Sequence, residues 1–489
     1  MTPLIWLVIA PLLGALAVLV VPARRMPAVA LGAAAATLGA ALALAAQVAG
    51  LGPRTVLLGG WTPPLGIVLK ADGLGTAFAV MAALVMSGVA LAARHELAPD
   101  KAGARAAYGF WPLMLLVWAA LNTVFVSRDL FNLYVGLELL SLAAVALVAL
   151  AGSREALAAA MRYLLFALTG SLLYLAGVVL TYSAHGTLDM AMLLARVPAT
   201  GDGVALGLMT AGLMAKTALF PFHVWLPPAH AAAPAPASAM LSALVPKASL
   251  VILLRVWFEA MPDAAGDAAL LVMAGLGAVA VIWGGVQALV QRKIKLVIAY
   301  STVAQLGYFI IAFPLTGGDS AVKPWSAGAW TGMVFLALSH GLAKSAMFLV
   351  AGIWYSACGA QELRDLKGLA RALPMSAFAF ALAAVTLAGL PPSGGFTGKY
   401  LMMQAAFVAG LWPFALVMVA GGLLAAAYLY RPLAALFAKD EAISCAPVSR
   451  VRQAVPLALA AAAIILGVLS AEPFSFIKIG KPDAAVEGL

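Results

Sequence analysis

Four lysines and one glutamate occupy positions where this apolar chain tolerates charge least. Lys216, Lys247, Lys344 and Lys399 lie within or at the end of long apolar stretches, and Glu138 lies in another. A charged side chain at the centre of a bilayer costs roughly 2.5–3.5 kcal/mol on insertion scales. Such groups persist where they pair with each other or line a hydrated path. The pattern therefore predicts a route for protons or ions through the membrane interior.

Glu138 is the only acidic residue in the apolar stretch 130–150. Paired with a lysine, its carboxylate stays charged, and such a pair can open and close. The alternative is a static buried pair that only locks two helices together. We favour transport, because ionisable groups inside membranes usually serve it.

His340 and Lys344 are four residues apart, which places both on one face of a helix. Histidine changes charge near neutral pH, so the two could pass a proton along a line. A lone buried histidine is more often a packing residue, and the neighbouring lysine is what favours transfer here. Lys247 lies in mid-span, too deep for its ammonium group to reach the membrane surface.

The sequence predicts no metal site and no nucleotide site. His223 and His230 are seven residues apart around prolines, without a nearby acid or cysteine to complete a metal site, and we interpret them as loop or supporting residues. The segment 394–400 superficially resembles a phosphate-binding loop, but Tyr400 stands where that loop requires Ser or Thr. We expect no catalytic site, no cofactor and no nucleic acid partner.

The composition predicts a polytopic helical membrane protein. Of 489 residues, 64% are hydrophobic and 10% charged, and the mean hydropathy is +1.04. A soluble domain carries about 25% charged residues. The apolar runs are continuous, which excludes a β-barrel and its alternating strands. The net charge of +10 does not indicate nucleic acid binding, because the basic residues fall in short connections between the runs.

The apolar runs predict fourteen spans in a single transmembrane domain, 1–489, without strands. The spans are 4–21, 28–50, 74–93, 106–126, 130–150, 160–183, 203–222, 236–258, 268–290, 294–314, 328–355, 374–409, 413–432 and 454–471. Most lysines and arginines of the loops follow odd-numbered spans, which places those loops in the cytoplasm and both termini outside. We expect Cys358 and Cys445, in loops on this reducing side, to be free thiols.

Two spans are predicted to be broken. Prolines at 221, 227 and 228 follow Lys216, and Pro391 and Pro392 precede Lys399. Proline removes a backbone donor and interrupts the helical ladder. Broken helices at matching positions in two halves of a transporter indicate an ion site. A simple kink in a packed helix is the alternative, but the adjacent lysine in both spans favours an ion site.

Four segments resemble the antiporter-like subunits, a family that covers membrane subunits of respiratory complex I, of Mrp-type sodium/proton antiporters and of related hydrogenases. The segments are LFNLYVGLELLS at 130–141, KTALFPFHVWLP at 216–227, KLVIAYSTVAQLGY at 295–308 and LPPSGGFTGK at 390–399. The resemblance extends over nearly the whole chain. By its length, by Lys399 and by Lys344 after His340, the chain looks most like the Mrp D subunit.

The resemblance implies two inverted five-helix repeats, 106–258 and 268–432, flanked by helices in 1–93 and 454–471. It implies a pair between Glu138 and Lys216, followed by Lys247 and Lys399, along a hydrated axis near mid-membrane. With His340 and Lys344, these residues are the expected proton path.

The implied function is proton translocation within a multisubunit Mrp-type antiporter of the cell (inner) membrane. The implied partners are other membrane subunits, the lipid bilayer, protons and Na⁺. A redox-driven pump of the complex I or hydrogenase type is one alternative, in which the chain would be part of an enzyme without a catalytic site of its own. A purely structural membrane protein is another.

Overall fold

The computed structural model describes residues 2–97, 99–317, 323–438 and 445–481, with the backbone alone for 99–105. This part of the chain is almost entirely helical. Lipid offers no partner to a free backbone amide, so membrane-spanning segments satisfy their hydrogen bonds internally. Thirteen segments in the described part are helices long and apolar enough to cross a membrane. Two shorter helices separated by a break add one more crossing, which confirms the predicted fold class.

The elements are numbered in chain order. The helices are α1 Pro3–Val20, α2 Met26–Leu51, α3 Gly73–Glu96, α4 Pro99–Val126, α5 Leu130–Ala149, α6 Arg154–His185, α7 Met190–Leu194, α8 Asp202–Thr217, α9 Leu226–Ala232, α10 Ala235–Arg255, α11 Asp267–Val290, α12 Ile294–Ile311, α13 Ser326–Cys358, α14 Leu369–Ala372, α15 Pro374–Ala388, α16 Gly394–Val408, α17 Trp412–Leu436, α18 Arg450–Val468 and α19 Ala471–Lys478. The strands are β1 Arg54–Leu57 and β2 Val68–Ala71.

Helices α10 and α13 form the centre of the bundle. The most apolar stretch of each is entirely buried within the protein. The two central helices are surrounded by α3, α4, α8 and α12. In addition, α6 packs along α8, and α13 packs along α16 in a similar way. The central helices therefore carry side chains that do not reach lipid. The residue ranges of the two inverted repeats stay a prediction.

Both predicted breaks are confirmed. Helix α8 ends at Thr217, and Ala218 adopts a left-handed conformation with φ 61°. A single 3₁₀ turn then leads into α9. In the second half, α15 ends at Ala388, Gly389 follows it with φ 79°, and Ser393 caps the start of α16. The chain also turns at Gly410, with φ 73°, so α17 is a separate span.

A β-hairpin corrects the expectation that the chain has no strands. β1 pairs antiparallel with β2, with Arg54 opposite Ala71 and Leu57 opposite Val68. Gly52 follows α2 with a positive φ of 74°, and the two segments after it contain the β-branched residues Thr55, Val56 and Val68, which suit strands. The sequence analysis missed the hairpin because a four-residue strand is too short to produce a recognisable hydropathy pattern.

Four charged residues form a buried ionic cluster that the sequence analysis did not identify. The fully buried Arg255 binds Asp72 through two bonds of 3.0 and 3.1 Å, and Glu259 at 3.2 Å. Arg128 pairs with the same two carboxylates. Arg255 also donates to the Phe125 carbonyl at 3.0 Å. The ionic cluster therefore ties the end of α10 to the start of α3 and to the α4–α5 connection.

Asp72 keeps its charge at any pH a cell encounters. Burial would raise the pKa of Asp72, but Arg255 and Arg128 together hold it below its usual range. A carboxyl with a lowered folded-state pKa contributes stability at every pH above its unfolded pKa of about 3.9. That contribution is lost only as the pH falls below this value, so Asp72 is not a switch near neutrality.

We expect Arg255→Met to destabilise the protein, because it leaves the Asp72 and Glu259 carboxylates with Arg128 alone as their ionic partner. Breaking a buried ion pair costs roughly 3–5 kcal/mol, and Arg128 offsets part of that cost. The apparent melting temperature in detergent should fall by several degrees. Arg364→Ala is the matched control, since this side chain is 78% exposed and its ion pairs contribute little. Equal melting of wild type and Arg255→Met would contradict a stabilising role for the ionic cluster.

A disulfide overturns the expectation of two free thiols. Cys358, at the end of α13, is bonded to Cys445, which precedes α18, and their Cα atoms are 4.6 Å apart. The two cysteines are 87 residues apart in the sequence. No spacing rule could have paired them, because their proximity results from the packing of α18 against α13.

Candidate functional site

Glu138 and Lys216 form the predicted intramembrane pair. The Lys216 Nζ atom lies 3.0 Å from Glu138 Oε1 and also donates to Ser141 Oγ at 2.8 Å. Ser171 donates a hydrogen bond to the same carboxylate oxygen. Lys216 is buried, while 21% of the Glu138 side chain is exposed. The pair thus joins α5 to α8, with hydroxyl groups that can support either partner when the pair opens.

The break after α8 positions Lys216. The lysine lies in the last turn of the helix, where backbone carbonyls lack intrahelical partners. The Trp225 indole donates to the Ala215 carbonyl at 2.9 Å. Tyr163 of α6 stacks on this indole at 4.0 Å between ring centroids. The break is therefore a fixed structure, whose freed backbone groups are partly satisfied by the side chains that follow it.

Lys247 and His340 form a second pair, between the two central helices. Lys247 Nζ lies 2.6 Å from His340 Nδ1 and donates to the Ser242 carbonyl at 3.0 Å. Both side chains are fully buried, and His340 Nε2 has no hydrogen-bond partner among the described residues. The imidazole can accept a proton from the lysine on one side, with its other nitrogen free to pass a proton on.

Lys344 lies one turn beyond His340 on α13, as the sequence spacing predicts. Its ammonium group turns to α12, where it donates to the Ile298 carbonyl at 2.7 Å and to the Ser301 hydroxyl. His340, which contacts Lys247, is thus one helical turn from Lys344 as well.

Lys399 binds the end of the broken helix before it. Its Nζ donates to the Leu387 carbonyl at 2.9 Å and lies 3.5 Å from the Ala388 carbonyl, the last two of α15. The ammonium group also lies 4.5 Å from the centroid of the Tyr308 ring. A cation at a helix C-terminus is favoured by the helix dipole, and one over an aromatic face by the ring quadrupole.

The structure gathers the predicted residues into three groups of contacts. These are Glu138 with Lys216; Lys247 with His340, next to Lys344; and Lys399 with the end of α15. Among these residues, all of them described, no hydrogen bond joins one group to the next. Proton transfer through all three groups, from Glu138 to Lys399, would need water molecules or side-chain movement between the groups.

A cavity of about 820 Å³ opens beside the broken helix α8–α9, and we call it the vestibule. It is bounded by the loops after α5, α11 and α13. These helices are the fifth, ninth and eleventh predicted spans, so the loops that follow them are odd-numbered in the predicted topology. Glu96, Glu155, Lys293 and Lys295 bring charges to its wall. Lys295 Nζ donates to the carbonyl of Ala233, at the end of α9, at 2.8 Å. The vestibule therefore reaches the broken backbone.

His230 lies between the vestibule and the central pair. Its neighbours on α9 line the vestibule. Its ring is 1% exposed, and both ring nitrogens lack a hydrogen-bond partner among the described residues. The ring also interacts electrostatically with Lys247, Lys295 and Lys344. A buried imidazole with two free nitrogens is the kind of group that an internal water molecule satisfies. We had interpreted His230 as a supporting residue, and its position makes it a candidate member of the path.

The hydroxyl partners were missed by the sequence analysis. Ser141, Ser171 and Ser301 each bind a predicted ionisable side chain. One weak signal existed for Ser141, which lies three residues after Glu138 and so on the same helical face. No sequence signal connects Ser171 or Ser301 to the lysine or glutamate that each contacts, because they lie on other helices.

Two broken helices around a buried row of lysines, with one glutamate, define a polytopic membrane protein of the antiporter-like class. Residues 127–425 match the family model described as "NADH:quinone oxidoreductase/Mrp antiporter, TM". The chain belongs to this family, which confirms the resemblance stated from its motifs.

Relatives come from more than one kind of complex. The N subunit of the NADH-quinone oxidoreductase of Desulforudis audaxviator is 36% identical over 403 residues, covering 80% of this chain and 77% of the relative. The D subunit of the Na(+)/H(+) antiporter of Alkalihalophilus pseudofirmus is 29% identical over 387 residues, covering 78% and 75%. A chain of the membrane-bound sulfane sulfur reductase, an archaeal respiratory membrane complex, is similar in structure, with a TM-score of 0.90, 26% identity and coverage of 98% and 97%. These similarities do not single out the Mrp D type.

We expect Glu138→Ala and Lys216→Ala each to abolish ion transport, because each change leaves the other charge without its ionic partner at membrane depth. The double variant should be no worse than either single variant, as for residues that act as one unit. The measurement is proton uptake into vesicles at matched membrane protein amounts.

Leu423→Ala is the control, on α17 with the residue 69% exposed and away from the pair, and it should transport normally. Normal transport by Lys216→Ala would refute the role of the pair.

We expect Lys399→Glu to retain more transport than Lys399→Leu. A protonated carboxyl can still donate to the Leu387 carbonyl and can exchange its proton, whereas leucine can do neither and leaves that carbonyl without this donor. The same vesicle assay measures both variants, with immunoblots to match their amounts. An equal loss in both would mean that the ammonium group itself is required, and not simply a proton-binding group.

Proposed function

We propose that this chain translocates protons as a membrane component of a multisubunit monovalent cation/proton antiporter of the Mrp type. The observation that carries the proposal is the Glu138–Lys216 pair. A carboxylate and a lysine at membrane depth are energetically costly, and such groups usually mark a path for protons or ions. The proposed path residues are Glu138, Lys216, Lys247, His340, Lys344 and Lys399, with His230 added from its position.

The vestibule is the proposed site of proton uptake. Its wall carries the carboxylate of Glu155, which attracts cations, and that of Glu96, which is paired with Arg452; the vestibule reaches the broken backbone beside His230. From His230 a proton would pass to the Lys247–His340 pair, whose members lie 2.6 Å apart. This step needs water between His230 and the pair, and the two free nitrogens of His230 give that water its partners.

The proposed coupling is electrostatic. A proton that arrives at Glu138 neutralises the carboxylate and frees the charge of Lys216, which then acts on Lys247 and His340 and finally on Lys399. Like charges repel over several ångströms in a low-dielectric interior, so one step displaces the next proton. Each step needs only a few kcal/mol, which opposite charges in contact at low dielectric can supply.

A neighbouring protein is part of this proposal. Glu138 lies in the middle third of α5, yet 21% of its side chain is exposed at the surface of the bundle, next to Val135 and Leu142, which are about half exposed. A carboxylate facing lipid is unfavourable, so a partner helix or the water beside it supplies the missing contacts.

The proposed location of this multi-pass chain is the cell (inner) membrane, with both termini outside. Other subunits of the complex would bind Na⁺.

A redox-driven complex of the NADH-quinone oxidoreductase type is the second candidate. The 36% identity to the N subunit of such a complex favours it, compared with 29% to the D subunit of an antiporter. The proton path would be the same, and the energy source would lie in other subunits. The proteins that co-purify with the native chain decide between the two.

A purely structural membrane protein is the remaining alternative. It predicts that replacing the charged residues harms assembly of the complex but leaves ion transport intact.

The chain should work only within its complex. The described residues offer a path for one kind of ion and no cluster of three or more metal-ligating side chains, whereas coupled exchange requires differential binding in two states. Purified alone and reconstituted in vesicles, the chain should give at most a proton leak, measured with a pH-sensitive dye after a Na⁺ jump.

The intact complex, reconstituted in the same lipids, is the positive control, and the complex with Lys247→Ala is the negative control. Robust Na⁺-dependent proton exchange by the lone chain would contradict the proposal, and would place a cation site among residues assigned here to packing.

A further inference from the structure

The Cys358–Cys445 disulfide fastens the segment 445–452 to the end of α13. The Ala446 amide donates to the Ala357 carbonyl at 2.8 Å, one residue from the disulfide. Arg452, in the first turn of α18, donates to the Ser356 hydroxyl at 2.7 Å. We call residues 445–452 the strap. One covalent bond and two hydrogen bonds therefore hold it against a single turn of α13.

The strap sets the charge on the wall of the vestibule. Arg452 Nη2 lies 3.3 Å from Glu96 Oε2, and Glu96 lines the vestibule together with Tyr355, from the same turn of α13. Glu96 also interacts electrostatically with Lys295, whose ammonium group binds the end of α9. Arg452 thus neutralises a carboxylate that faces the proposed uptake site.

The compartment makes this disulfide unusual. The excess of Lys and Arg in the odd-numbered loops places the strap in the cytoplasm. Disulfides there are rarely structural and are usually transient or redox-sensing, because cytoplasmic thiols reduce them. Both cysteines are partly exposed.

We propose that Cys358 and Cys445 form a reversible thiol switch that regulates proton uptake through the vestibule. In the disulfide form the strap holds Arg452 on Glu96. In the dithiol form the strap loosens, Arg452 leaves, and the free carboxylate of Glu96 draws protons into the vestibule. The inference rests on the proposed function, since it regulates the same path.

The chemistry is thiol–disulfide exchange with a cytoplasmic dithiol. A thiolate of the reductant attacks one sulfur of the bridge, the S–S bond breaks, and a mixed disulfide forms. The second thiol of the reductant resolves that intermediate. The two cysteines gain two electrons and two protons, and the reductant leaves as a disulfide. Oxidation by a disulfide compound reverses the exchange.

The test is the initial rate of proton uptake by the reconstituted complex, after dithiothreitol and after oxidation with diamide. We expect the reduced complex to be about two- to fivefold faster, the range for loss of a partly exposed ion pair. Cys358→Ser and Cys445→Ser should run at the reduced rate under both conditions. Arg452→Gln should do the same with its disulfide intact, because it frees Glu96 directly.

A second measurement separates this inference from the proposed function. Hydrogen exchange of peptides covering 445–452 should speed up after reduction in wild type and be fast in both states of Cys445→Ser, whether or not protons are transported. Unchanged exchange on reduction would overturn the strap. Faster exchange with equal proton uptake rates in both states would overturn the regulation.

Two further outcomes have separate meanings. A complex that transports no protons in either state refutes the proposed function, and hydrogen exchange alone then judges the strap. Labelling of both thiols in intact cells by an impermeant reagent after an impermeant reductant would place the bridge outside. It would then be a permanent structural disulfide, and the switch would be refuted.

Discussion

The solvation of lysine ammonium groups inside a bilayer is the constraint on which this structure depends. An ammonium group away from water needs oxygen acceptors, but an intact helix has already used its carbonyls. The breaks resolve this conflict. Lys399 binds two carbonyls released at the end of α15, and Lys295 binds one released at the end of α9. At these two helix ends, the lysine and the released carbonyls each supply the hydrogen-bond partner that the other lacks.

Within the described part of the chain, only one of the four intramembrane lysines has a carboxylate within contact distance. Lys216 pairs with Glu138, whereas Lys247 contacts an imidazole and a carbonyl, and Lys344 contacts a carbonyl and a hydroxyl. Neutral acceptors tolerate a lysine in either protonation state better than a carboxylate does, because no buried anion is left behind when the proton leaves. The surroundings of Lys247 and Lys344 are thus suited to exchanging protons. The Glu138–Lys216 pair is suited to holding opposite charges together until the pair opens.

The spans, the breaks and the buried charges could be predicted from the sequence, because each is a local pattern. Long apolar runs determine the spans, and Pro221 and Pro391 beside lysines mark the breaks. The partners of those charges could not be predicted. Ser171 and Ser301 contact the ionisable groups across helix interfaces, and Arg255 binds Asp72, which lies 183 residues earlier in the chain. Such contacts depend on how helices rotate against each other, which hydropathy does not specify.

The two ends of helix α10 indicate which state of the protein the structure represents. Its first residue, Ala235, lines the open vestibule, while Arg255 at its last turn is locked into the ionic cluster with Asp72. Lys247 lies between them, eight residues or about 12 Å of helix before Arg255. A path open on both sides at once would dissipate the gradient that it serves. If the chain carries protons as proposed, a wide cavity on one side and a packed ionic cluster on the other make this a state open to the odd-loop side and closed to the opposite side. Access to the opposite side would require the bonds of Asp72 or Glu259 to the two arginines to rearrange.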